Sequence, residues 1–65
     1  MGIEGHLEEL GDRFIGLWAY RGYRKEKKYC VTIIYEDRHW DTNEYKSPKR
    51  ALKEAIKLLE KLENE

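Results

Sequence analysis

SPKRALKEAIKLLEKLE, residues 47–63, spells a single amphipathic helix. Ser47 can cap the free N–H groups of the first turn, and Pro48 at the next position gives up a donor that would be orphaned there anyway. The helix is expected to run from Pro48 to about Glu63. Ala51, Leu52, Ala55, Ile56, Leu58, Leu59 and Leu62 recur at helical spacing as one apolar stripe. Lys49, Lys53, Lys57 and Lys61 fall on the opposite side, where they face water. A chain of 65 residues is one small domain near the lower limit for a self-sufficient apolar core. The stripe must therefore be covered by what precedes it.

What precedes it has the period of strands. Ile15, Leu17 and Ala19 alternate with Phe14, Trp18 and Tyr20, a run rich in aromatic and β-branched types. RGYRKEKK, residues 21–28, supplies a connection. YCVTIIY, residues 29–35, is the clearest strand, with Tyr29, Val31, Ile33 and Tyr35 on one face and Cys30, Thr32 and Ile34 on the other. A polar turn, EDRH, leads to a third strand, HWDTNEY, at 39–45, in which Asp41 and Asn43 are poor strand residues. Three short strands joined by tight turns can form only an antiparallel meander. The expected fold is α+β: a three-stranded antiparallel β-sheet meander packed on one C-terminal α-helix, βββα, as a single domain over 13–65. Residues 1–12 form an N-terminal arm or short helix, since Leu7 and Leu10 ahead of Gly11 allow a helical turn.

One helix shields one face of such a sheet. Under strict alternation Trp18, Tyr20, Thr32, Ile34 and Trp40 cannot all reach it. Aromatic surface is thus expected on the second face, and in a small protein such a patch marks an interface.

Charged residues make up 40% of the chain and hydrophobic ones another 40%, which excludes a disordered tail and a membrane span and indicates a soluble globular domain. No nucleophile–base pair, glycine-rich phosphate loop or carboxylate pair is present, so neither enzymatic activity nor a cofactor is expected. His6 and His39 are too few for a metal site, and Cys30, the lone cysteine, has no partner for an internal disulfide. With acids at the N-terminus where a secretory leader carries cations, these features place the chain in the reducing cytoplasm. The absence of glutamine, the two asparagines (Asn43 and Asn64) and the Glu/Lys load give it a thermophile-like composition.

The net charge of zero is unevenly laid down. Residues 1–12 hold four acids and no Lys or Arg, whereas 13–28 hold six cations against Glu26. Residues 29–45 hold Arg38 against Glu36, Asp37, Asp41 and Glu44, and 46–65 hold six cations against four acids. The cations therefore concentrate in one hairpin, where they either contact phosphates or keep a strand edge soluble. Two of them are arginines, which suit bidentate contacts.

YRGYR at 20–24, the cationic turn, YCVTIIY, a Trp in the third strand and YKSPKRALKEAIKLL together resemble the plant ethylene-response-factor DNA-binding domain and the related arm-binding domain of phage integrases. The resemblance spans residues 20–62. It implies a three-stranded sheet that packs on one helix and lays its free face in the DNA major groove. It implies further that Arg21 and Arg24 match strand-one arginines, Tyr29 stands where the family often has Trp, Trp40 lies near a third-strand Trp, and Tyr45 closes the core. The chain departs from the family in having WDTNEY at 40–45, with one extra residue between Trp40 and Tyr45. SPKRALKEAIKLLEKL also resembles the C-terminal helix of double-stranded-RNA-binding domains, which implies phosphate contacts by Lys49 and Arg50.

The expected function is a regulatory nucleic-acid-binding domain for double-stranded DNA. Arg21, Arg24, Lys25, Lys27 and Lys28 would contact the backbone, while Tyr20, Tyr29 and Trp40 would lie on the platform. The alternative is a protein–protein interaction module, such as a small viral or host regulator, that acts through the same face or an edge strand, including as a homodimer.

Overall fold

The computed structural model describes residues 3–65; Met1 and Gly2, the start of the expected N-terminal segment, lie outside the described residues. The elements are α1 (Glu4–Leu10), a 3-10 turn (Gly11–Arg13), β1 (Phe14–Arg21), β2 (Lys27–Tyr35), β3 (Arg38–Asp41) and α2 (Pro48–Glu63). The strands form one antiparallel sheet in the order β1-β2-β3, and α2 packs on it. This is the βββα arrangement predicted by the spacing, and of the two N-terminal alternatives, arm or short helix, residues 4–10 take the helix.

The α2 helix starts where its sequence says it should. Ser47 has extended backbone, and its hydroxyl accepts from the Arg50 N–H at 3.4 Å, with Pro48 beginning the first turn. Ala51, Leu52, Ala55, Leu59 and Leu62 are buried, and the four lysines of the opposite row are exposed. The apolar face meets Val31 and Ile33, both fully buried. Each such side chain contributes roughly 1.5–3 kcal/mol. That is a large share of the ~3–10 kcal/mol expected for a domain of this length.

In α1, Leu10 is 2% exposed and belongs to the same core as Val31 and Ile33, with Ile3 and Leu7 packed at its margin. The helix ends at Gly11, whose N–H donates to the Leu7 carbonyl. Because α1 packs against α2, both helices lie on one side of the sheet.

The two outer strands depart from strict alternation, each in order to place a second large side chain under the helices. In β1, Phe14 pairs with Ile33 and Leu17 with Val31, so three residues of β1 span two of β2, a bulge centred on Ile15. Phe14 and Leu17 both pack on the core, while Ile15 is 44% exposed. On the far side, Trp40 pairs with Ile33 and Tyr45 bridges to Tyr29, so five residues span four. The third strand therefore stops at Asp41, short of the expected 39–45, and Tyr45 rejoins the sheet alone. Thr42 closes the gap, with its N–H donating to the Val31 carbonyl at 2.9 Å and its hydroxyl accepting from the Val31 N–H at 3.0 Å.

The two hairpin turns carry backbone strain. Between β1 and β2, the Gly22 N–H donates to the Glu26 carbonyl at 2.8 Å and the Lys25 N–H to the Gly22 carbonyl at 3.0 Å, with Lys25 at φ 64°. This is a three-residue loop whose left-handed position usually holds glycine. Between β2 and β3, Glu36 and Asp37 both have positive φ, 51° and 62°, in a two-residue turn closed by the Tyr35–Arg38 pair. Asn-Gly is the sequence that such a turn prefers, and each ordinary residue held there costs roughly 1–2 kcal/mol. Replacing Glu36→Asn together with Asp37→Gly should stabilise the domain by about 1–2 kcal/mol and raise Tm by roughly 4–8 °C per kcal/mol. A thermal melt with no rise would contradict the turn geometry.

Candidate nucleic-acid interface

The helices leave the second face of the sheet uncovered. Residues directly opposite in an antiparallel pair share a face, so the registers assign Gly16, Trp18 and Tyr20 of β1 to this side. Lys28, Cys30, Thr32 and Ile34 of β2 join them, with His39 and Asp41 of β3. Trp18 is 50% exposed and Tyr20 39%, whereas Thr32 is buried.

Trp18 is pinned rather than loose. Its indole lies across Gly16, where a Cβ would come within 2.5 Å of the ring, so only glycine leaves room for it. The indole N–H donates to the Thr32 hydroxyl at 2.8 Å, and that hydroxyl donates in turn to the Asp41 carboxylate. A three-strand chain of hydrogen bonds thus orients the ring and leaves half of it open to solvent. This chain of contacts is not legible in the sequence. Its only local signal was Gly16, a glycine inside an otherwise good strand.

The cations gather at one end of the sheet. Arg21 and Lys27 face each other across the last pair of the hairpin, Arg24 and Lys25 occupy its turn, and Lys28 stands opposite Tyr20 on the open face. Ala19 faces the helical side yet is exposed, so the helical layer stops short of the hairpin tip. Tyr23, at that tip, is fully exposed. Like charges set directly opposite each other destabilise a strand pair. Among the described residues none of these cations makes an ion pair within 4.0 Å, the ion pair present being Lys57–Glu54 on α2 at 3.2 Å.

Two of the expected platform residues lie elsewhere. Trp40 sits opposite Ile33 and Tyr29 opposite Ala19 and Tyr45, all on the helical side, and both pack at the margin of the core. The Trp40 indole donates to the Tyr35 carbonyl at 3.4 Å. The reason is parity for Tyr29, which shares a face with Val31 and Ile33. For Trp40 it is the register set by the two-residue turn at Glu36 and Asp37. The aromatic contribution to the open face comes instead from Trp18 and Tyr20, with Ile15 beside them.

The β3 side of the open face is acidic, and Glu44, next to the Tyr45–Tyr29 bridge, reaches across to Tyr20 of β1. The Glu44 carboxylate, chiefly as a hydrogen-bond acceptor, pushes the Tyr20 phenol up to about 12. Burial pushes the Cys30 thiol up, reinforced by the charges of Asp41 and Glu44, so the thiol is held in its unreactive protonated form. A polyanion is therefore favoured at the hairpin end and disfavoured toward β3.

The Trp18–Thr32–Asp41 chain should be measurable. Thr32→Val keeps the shape but removes both hydrogen bonds, and it should cost about 1–2 kcal/mol in denaturant unfolding while speeding exchange of the Trp18 indole proton. Unchanged stability and exchange would show that the chain does not hold the ring. No known protein family, curated protein or solved structure matches this chain.

Proposed function

We propose that this chain is a nucleic-acid-binding domain that takes duplex DNA with its β1–β2 hairpin and the adjoining half of the open sheet face. The observation that carries the reading is the crowding of Arg21, Arg24, Lys25, Lys27 and Lys28 on a ribbon that protrudes past the helices. Arg21 and Lys27 stand opposite each other there without a carboxylate partner among the described residues, and a bound phosphate would relieve their repulsion. A two-stranded ribbon has the width that the major groove admits. Lys28 and Trp18 continue the contact along the open face, while Asp41 and Glu44, the latter held at Tyr20, limit the footprint on the β3 side.

A second reading is favoured by the Trp18 ring, which is tethered by its N–H and half exposed over Gly16. Such a ring is a stacking surface for an unpaired base. The two readings separate in one titration that follows tryptophan fluorescence, with Trp40→Phe isolating the Trp18 signal, against a labelled duplex and its isolated strands. Duplex binding should weaken with salt, with a log–log slope of about −2 to −4. Replacing Arg21, Arg24 and Lys27 by Gln should reduce that slope by about 2 and the affinity at least ~10-fold. Preference for the single strand would transfer the function to base stacking. Absence of binding to either form at low salt would refute the proposal and leave a protein partner on the same face.

A further inference from the structure

The two edges of the sheet are unlike. The β3 edge is four residues long and carries Arg38, His39 and Asp41, the kind of short, charged edge that resists pairing with another chain. The β1 edge is eight residues long and reads FIGLWAYR, without a charge or a proline until its last residue. Among the described residues, three of the four exposed large hydrophobic side chains, Ile15, Trp18 and Tyr20, lie on it. Its backbone is also available. Gly22 bonds to Glu26 across the hairpin, and bonding alternates along an antiparallel pair, so Tyr20 and Trp18 face β2 in turn. The N–H and C=O groups of Leu17, Ala19 and Arg21 then point away from the sheet.

We infer that β1 is a self-pairing edge, and that two copies of this chain join through antiparallel β1–β1 contact into one six-stranded sheet. The occupant is a second copy because the strand complements itself. About a two-fold axis at Ala19, the uncharged run 18–20 lies opposite its own copy, and Arg21 falls opposite Leu17 rather than opposite the other Arg21. Ala19 is small and exposed at the centre, so the backbones can approach. Trp18 and Tyr20 of each copy come beside those of the other, an aromatic cross-strand cluster of the kind that stabilises sheets. The net charge of zero sets no long-range repulsion between copies.

An axis perpendicular to the sheet keeps both open faces on one side and all helices on the other. The cationic hairpins then point to opposite ends, their tips separated by roughly 33 Å of strand, close to one turn of B-DNA. This pairing does not depend on the nucleic-acid reading and is tested without any nucleic acid.

Sedimentation equilibrium of the full chain from micromolar to near-millimolar concentration should give the mass of two chains at the upper end. Ala19→Lys places two cations opposite each other at the centre and should raise the dissociation constant at least about tenfold. His39→Lys, on the other edge, should leave it unchanged. Amide exchange of the unaltered chain provides a check independent of any variant: the Leu17, Ala19 and Arg21 N–H groups should become protected as concentration rises. A single-chain mass throughout, or a two-chain species in which those amides stay unprotected or Ala19→Lys has no effect, would overturn the inference.

Discussion

Val31 and Ile33 lie fully buried beneath Ala51, Leu52 and Ala55, and every other element is arranged around that contact. The apolar stripe of α2 is wide enough for one face of the sheet and no more. Leu10 of α1 enlarges the same core from the same side. A layer of helices on one side and none on the other leaves a flat molecule, with principal extents of 36 × 27 × 16 Å. Its open face and its long β1 edge both follow from that asymmetry.

The outer strands show how a small core is filled. Strict alternation would give each of them too few large side chains facing the helices. The bulge at Ile15 brings Phe14 to the covered side along with Leu17, and the break at 42–44 does the same for Tyr45 along with Trp40. Each irregularity sends something outward in exchange. On β1 it is Ile15, which enlarges the exposed apolar edge. After β3 it is Glu44, whose charge acts on Tyr20 and Cys30 and makes that side of the open face acidic. The charge asymmetry of the face, with cations at the hairpin and acids by β3, therefore originates in the same packing demand that shapes the core.

Much of the fold was legible because its signals are local. Ser47-Pro48 fixes the start of α2, the leucine spacing fixes its buried face, and the alternation of residues 29–35 fixes β2 and sets Tyr29 beside Val31 and Ile33, against its expected place on the open platform. The side taken by Trp40 was not legible, because it depends on the number of residues in a turn and on a register that no single strand encodes. The bulge in β1 was hidden for a similar reason, since Phe14 and Leu17 reach the same face only through their partners on β2. Only Gly16 and the odd spacing from Trp40 to Tyr45 hinted at either irregularity. The hairpin cations could be read directly from composition, whereas the hydrogen-bonded chain from Trp18 through Thr32 to Asp41 exists only once three strands are side by side.

Which side of the sheet is open decides where any partner can bind, and hydroxyl-radical footprinting reads that directly, because the two tryptophans lie on opposite sides. Trp18, half exposed on the open face, should be oxidised several times faster than Trp40, which packs against the core. Equal rates, or faster oxidation of Trp40, would mean that the second face is covered or that the third strand is in another register. Neither the cationic interface nor the free β1 edge would then have the geometry that binding requires.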